Sequence, residues 1–598
     1  MAKTSDYTIN NTYQGGYSSL KPGYGENFTG VRANAGSFGI TTNPQTANII
    51  KDASTKLSSG VKHIELTLIS PKIFDAVPQQ QLKELNKLSK LIGIDVSVHG
   101  PVIDTTGMTQ TGWSEVDRES QERKIFQTLE RSQDVRPDGN VHVIFHSAEG
   151  IHGSEWKELN GEEGRKARRL VIVDKESGQM SAFEYEKDFY PGGKGGKIIS
   201  QERTPEKRIN DVNETKWNNS INQIVMNKER FDEILAQNEF QIRHILSDRD
   251  AMEKIIKGQF NDLTQTQVQA YLKYNDAQTY LGEINKSAMN VFSNAYKLAT
   301  DEQKKKLFEI SKEYGKDIEN SRGDVLNQSL AMKKLLYNLK DDSLAPRQIV
   351  PIEEFAVEKS SQTFGNAAFQ AYKKFGEKAP VMCIENPPAG FGLSTGEDLR
   401  NLVKASRNQF VENLVEKEGK GRREAEKIAE KLIGATWDVG HINMLRGQGF
   451  KEQDIIKETE KIAPYLKHVH LSDNFGFEHT ELPMGMGNVP LKEMMGKLGE
   501  KGFEAKKIIE AGDWWQHMQT PPIKETFEAF GSSFYTSGAG PQWNQSLGLY
   551  QGYSEGLVGN WLPQTNYETF GTTFSRLPTE FGGVVGGGTG GRMGGGRE

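Results

Sequence analysis

The feature that most constrains this chain is an alternation that begins near Ser37. Short apolar runs, each ending in polar or charged residues, are separated by amphipathic helical stretches. Four runs come early, at 37–41, 61–66, 95–99 and 141–146, and four come late, at 381–385, 435–438, 468–471 and 507–510. Short strands alternating with helices predict βαβ units and parallel pairing, because a parallel strand pair needs a crossover long enough to hold a helix. Eight such units predict a closed α/β barrel of the (β/α)8 type, with a long, mainly helical insertion after the fourth strand.

The spacing of the runs divides the chain. Residues 1–34, rich in Tyr, Gly, Asn and Ser, read as a flexible N-terminal arm, 35–150 as the first half of the barrel and 151–345 as the insertion. The second half is expected at 346–530 and an aromatic, glycine-rich tail at 531–598. Within the insertion, 170–173 and 182–185 joined through Ser177-Gly178 read as a β-hairpin. A basic loop follows, from Gly192 to Lys197, and then a helical pattern from about Ser220 to Asp341, for example Ile221, Ile224, Phe231, Ile234 and Leu235. Barrel text resumes with a helix over 352–375 that leads into the fifth strand. The tail's Tyr550, Trp561, Phe570 and Phe574 could dock on the barrel or on a partner, and the insertion or the tail is where a protein partner is expected.

Composition narrows the function classes. A formal net charge of -6 gives no global case for nucleic-acid binding, although it leaves room for a local basic groove. The single cysteine, Cys383, sits in the apolar run Val381-Met382-Cys383-Ile384 and reads as a buried core residue; the chain can form no internal disulfide, which fits a reducing compartment. The polar stretch from Met1 to Asn11 and the lack of any run of 18 apolar residues lead to the expectation of a soluble, cytoplasmic protein without membrane partners.

The strand ends carry the chemistry. His99 closes the third run, His146 the fourth, Glu385 the fifth, Asp438 and His441 the sixth, His470 and Asp473 the seventh, and Glu510 the eighth. In a TIM barrel these ends converge on the C-terminal mouth, where active sites are built. Carboxylates and imidazoles crowded there would be costly alone, and divalent cations offset that cost. Mixed nitrogen and oxygen donors suit Zn²⁺, Mn²⁺ or Fe²⁺ better than Ca²⁺. His142 and His468 are assigned to the opposite strand phase, facing the helices. His63, His152, His244 and His517 have no repeating context and are treated as surface or core residues, and Asp473 is open to a role as an orienter of His470.

These motifs resemble the xylose-isomerase-like TIM barrels, which include endonuclease IV-type AP endonucleases and sugar isomerases and epimerases. The resemblance covers roughly 35–150 and 350–530. In the endonuclease IV branch nine ligands hold three zinc ions. By resemblance, His99 and His146 are the first-metal pair, Glu385 bridges to the second metal, Asp438, His470 and Glu510 complete that second site, and His441 is the first ligand of a third. The last two ligands of that branch form an Asp-x-His; here the loop reads Glu478-His479-Thr480-Glu481, so either His479 and Glu481 serve with residue types swapped, or the third metal is missing. The turn Gly485-x-Gly487-Asn488-Val489-Pro490 also matches. By contrast, Asn474-Phe475-Gly476 stands where a lysine is usual in endonuclease IV, and the forms Asp438-x-Gly440-His441 and Leu471-Ser472-Asp473-Asn474 look more like the isomerase side.

The resemblance implies a metal-dependent enzyme with Glu385, Glu510 and His441 as catalytic candidates. The leading expectation is phosphodiester hydrolysis at abasic sites in DNA with a multinuclear zinc site. The alternative is a sugar or sugar phosphate isomerase or epimerase using Mn or Mg, and a binding or scaffold module with a retained metal site is the third.

Overall fold

The computed structural model describes residues 38–57, 60–109, 112–148, 150–157, 166–191, 198–321, 324–518, 522–523 and 526. The sequence-read N-terminal arm, the Gly192–Lys197 loop and the C-terminal tail lie outside these residues. The chain forms two compact units. One comprises the chain up to Val173, Ser177–Ala182 and the chain from Pro351 on; the other comprises Asp174–Glu176 and Phe183–Val350.

The first unit is a closed barrel of eight parallel strands. They are β1 (Gly39–Thr41), β2 (His63–Thr67), β3 (Asp95–His99), β4 (His142–His146), β5 (Val381–Glu385), β6 (Ile433–Asp438), β7 (Leu466–Leu471) and β8 (Lys506–Ile509). Each pairs with its successor, and β1 closes on β8 with Ile40 opposite Ile509. The fold class read from the alternation is therefore the observed one, a (β/α)8 TIM barrel with a helical insertion. Strands β4 and β5, far apart in sequence, are direct neighbours, with Glu385 opposite His146.

Apolar residues on the outward face, such as Ile64 and Leu66 of β2 and Val96 and Val98 of β3, are buried. The helix Ile352–Phe375, read to the residue from its periodicity, buries Phe355, Phe364 and Ala367. Cys383 packs inside with Ile144 and Val381, and burial pushes its thiol up to about 12. Gly39 is required by a close approach: a Cβ there would lie 2.3 Å from Ile508 Cδ1 and 2.8 Å from His63 Cβ.

The second unit is helical, with long helices Pro205–Ser247, Gln265–Leu298, Asp301–Ser321 and Val325–Leu339. Its core comprises Trp217, Ile221, Ile224 and Phe231 with Leu281, Ile284, Met332, Leu335 and Leu336. The first helix begins well before Ser220, where the sequence reading placed it. Thr204 caps it by accepting from Lys207 N at 3.3 Å, and Pro205 occupies the first turn, where its missing N–H costs nothing. No helix among the described residues is long and apolar enough to cross a membrane.

Candidate metal centre

The mouth of the barrel gathers side chains that the sequence scatters over 400 positions. Parallel register brings them together, because every strand delivers its C-terminal residue to the same end. Glu385, fully buried at the end of β5, is central, and its two oxygens face different partners. Oε2 lies 3.1 Å from His99 Nε2 and 3.7 Å from His146 Nε2. Oε1 lies 2.8 Å from His470 Nδ1. That same Nδ1 is 2.7 Å from Glu510 Oε2.

Three overlapping groups of possible ligands result at the mouth among the described residues, each with all its ligand atoms within 4.8 Å of one another. They are His99, His146 and Glu385; His99, His470 and Glu510; and Glu385, Asp438, His470 and Glu510. Glu510 stands one residue beyond β8, and its backbone N–H donates to Leu471 O, which ties it to the neighbouring strand.

Asp438 does two jobs locally. Its Oδ1 accepts from His441 N at 2.7 Å, capping the short helix Val439–Asn443, and from the Ser472 hydroxyl at 3.0 Å. The turn that follows needs Gly440, since a Cβ there would sit 2.2 Å from Ser472 Oγ. It carries His441 inward, where Nδ1 lies 2.7 Å from Asn386 O and so carries the proton. Nε2 then faces His479 Nε2 at 2.7 Å, and His479 Nε2 is 3.6 Å from Glu481 Oε1. Two imidazole nitrogens this close share either one proton or one cation. Glu481 adopts φ 43, the left-handed region unusual outside glycine, and this turns its carboxylate back toward His479.

The electrostatics are those of a site short of positive charge. Burial pushes the Asp438 carboxyl up to about 6. Burial also works to raise Glu385 and Glu510, but His470 between them overrides it, holding Glu385 well below the ordinary range and bringing Glu510 down to about 2. Burial would depress His470, yet Glu385, Glu510 and Glu65 hold its pKa well above the usual value. His479 is lowered to about 3 by burial and the neighbouring His441. The His470 proton thus stands where a cation would, among three carboxylates. A buried set of imidazole and carboxylate donors converging on one end of the barrel fits a divalent metal ion.

Three sequence assignments are corrected. His142 and His468 do not face the helices: they share strand phase with His146 and His470, four and two residues away. The His468 ring lies inside the barrel, 6.3 Å from that of His142 and 6.4 Å from that of His63. Asp473 does not orient His470; its carboxylate accepts backbone N–H groups from Asn474, Gly485 and Val489 and organises the loop after β7. His63 is a core residue bound to the Ser97 hydroxyl at 2.8 Å.

Sequence reasoning missed Glu65 and His468, which form a fourth group of possible ligands with His470. The available signal was the run His63-Ile64-Glu65-Leu66-Thr67, in which every second residue is polar although both faces of a barrel strand are covered.

The similarities to known proteins are partial. Residues 370–530 match the family described as xylose isomerase-like TIM barrel. An uncharacterized protein of Methanocaldococcus jannaschii is 31% identical over 83 residues, 14% of this chain and 27% of that protein, so the chain spans about a quarter of that relative's length. The crystal structure of a D-tagatose 3-epimerase-like protein aligns at a TM-score of 0.33 and 12% identity, covering 82% of this chain and 98% of the other.

Proposed function

Taking a xylose isomerase-like TIM barrel as the premise, we propose that this chain is a metal-dependent phosphodiester hydrolase with two divalent ions, zinc first among candidates, sharing Glu385. The observation that carries the reading is the division of labour on that one carboxylate, Oε2 toward His99 and His146 and Oε1 toward His470. His99 and His146 would hold the first ion, and Asp438, His470 and Glu510 the second. Such ions supply Lewis acidity, generating a nucleophile from water at neutral pH and stabilising charge that develops on phosphoryl oxygens.

The chain's own groups do the rest. Glu510, the most exposed carboxylate of the cluster, would move a proton, and His441, whose Nδ1 is 3.8 Å from Glu385 Oε1, would hold a substrate oxygen. DNA with an abasic site is the phosphodiester the family resemblance implies. The loop carrying His479 and Glu481 would contact it or complete a third site.

One observation favours a second reading. Glu385 and Glu510 approach the same His470 nitrogen, at 2.8 and 2.7 Å, so two carboxylates flank one ligand position. A sugar isomerase or epimerase with a single Mn²⁺ or Mg²⁺ would use such a pair to pass a proton on and off adjacent carbons. His99 and His146 would then bind substrate.

Elemental mass spectrometry of the purified wild type and of His146→Ala separates the two. Two or more equivalents of zinc, falling by about one in the variant, support the hydrolase and lead to cleavage assays on abasic-site duplexes. One equivalent of manganese or magnesium, unchanged in the variant, supports the isomerase and a sugar panel. A wild type that holds no metal after reconstitution removes both.

A further inference from the structure

TIM-barrel interiors are normally filled by layers of branched apolar side chains. Here a polar seam runs down the interior instead. Glu65, fully buried on β2, places Oε1 2.9 Å from His470 Nε2 and Oε2 3.1 Å from His468 Nε2. The Ser97 hydroxyl of β3 donates to Oε2 at 2.7 Å, and His63 Nε2 lies 2.8 Å from the same hydroxyl. His63 in turn faces Asp95, which holds Lys506 Nζ at 2.5 Å. The chain of contacts therefore joins a residue of the mouth to the opposite end of the barrel.

An imidazole has one lone pair when neutral, and the hydrogen bond made by one nitrogen decides which nitrogen keeps it. His470 offers Nδ1 to Glu385 and Glu510, so a ligand role requires the proton on Nε2. Glu65 Oε1, 2.9 Å away, is the carboxylate oxygen that stands beside that atom. A carboxylate this buried keeps its orientation only if its other oxygen is also satisfied; the Ser97 hydroxyl donates to it, with His468 Nε2 3.1 Å away. Four polar side chains in the middle of a barrel are costly to bury, and each is used in holding the next.

We infer that Glu65 is a positioning residue for His470, accepting the Nε2 proton so that the Nδ1 lone pair faces the metal centre. The inference rests on the metal-binding reading above and extends it to a strand outside the cluster at the mouth. Carboxylates that accept from a ligating histidine typically alter metal affinity by about 10–100-fold.

The test uses the full-length protein and Co²⁺ alone, titrated by visible absorption against a competing chelator. In Glu65→Leu affinity falls about 100-fold and the absorption bands of the remaining complex shift; in Glu65→Gln, whose amide oxygen can still accept from His470, the loss is about tenfold. Ser97→Ala, which frees Glu65 without touching His470, gives a smaller loss in the same direction. Wild-type affinity and bands in a folded Glu65→Leu overturn the inference while leaving the proposed function standing. Should Glu65→Leu not fold, unchanged affinity in both Glu65→Gln and Ser97→Ala overturns it equally. Loss of one whole equivalent of Co²⁺ with the rest bound as tightly as before also overturns it, in favour of an ion held inside the barrel by Glu65, His468 and His470. A wild type that binds no Co²⁺ fails the functional reading itself.

Discussion

Glu353 shows how one buried carboxyl couples the fold to pH. It lies in the first turn of the helix Ile352–Phe375, and its Oε1 accepts from Ser154 N at 2.8 Å. Burial, with the nearby Asp398, raises its pKa from 4.5 to about 7. Between those values the folded chain keeps a proton that the unfolded chain releases, so stability falls as pH rises through that window and the loss is complete above it. Glu353→Gln is expected to match the wild type near pH 4 and to exceed it by about 1–3 kcal/mol near pH 8. Denaturant melts at the two pH values check this; an equal difference at both would refute it. At the mouth, most candidate ligands were legible because each is a polar residue closing an apolar run. Glu65 and His468 were not, because polar residues in mid-strand read as facing away from the mouth only if one face of the strand is assumed to be wet.

The elements divide in the same way. Strands were legible wherever β-branched and apolar residues are bounded by turns, whereas the roles of loop residues depended on backbone groups that no spacing reveals. The loop after β7 is the clearest case. Asp473 gathers N–H groups from both ends of it, and Asp473 also exchanges backbone hydrogen bonds with Leu482. Gly487 closes it: a Cβ there would lie 2.3 Å from Asn474 O and 2.4 Å from Asp473 Oδ1. Gly487→Ala is expected to cost about 2 kcal/mol or more and to displace His479. Gly496→Ala, in the next helix with open space around it, is expected to stabilise by about 0.5–1 kcal/mol. Chemical denaturation of the two variants should give opposite signs; a Gly487→Ala protein as stable as the wild type would show that the loop is not built this way.

On the scale of the molecule, two cores are present, one around the barrel and one among the long helices. Ligand binding stabilises only the part that holds the site, by about 2.7 kcal/mol at a hundredfold excess over Kd. Scanning calorimetry of the metal-loaded protein is expected to show two transitions, with a chelator lowering the barrel transition and leaving the helical one in place. A chelator that moved both equally, or neither, would contradict the assignment of the site to the barrel alone. The pairing of β4 with β5 has a temporal consequence as well. Glu385 lies opposite His146 yet follows it by about 240 residues, which a ribosome adding about 5–20 residues per second takes roughly 12–50 s to cover. Until the second half emerges, the nascent half-barrel shows an unpaired β4 edge, with His99 at the end of β3 and His146 at the end of β4 still lacking Glu385, so an exposed strand edge and a half-built donor set coexist for that time.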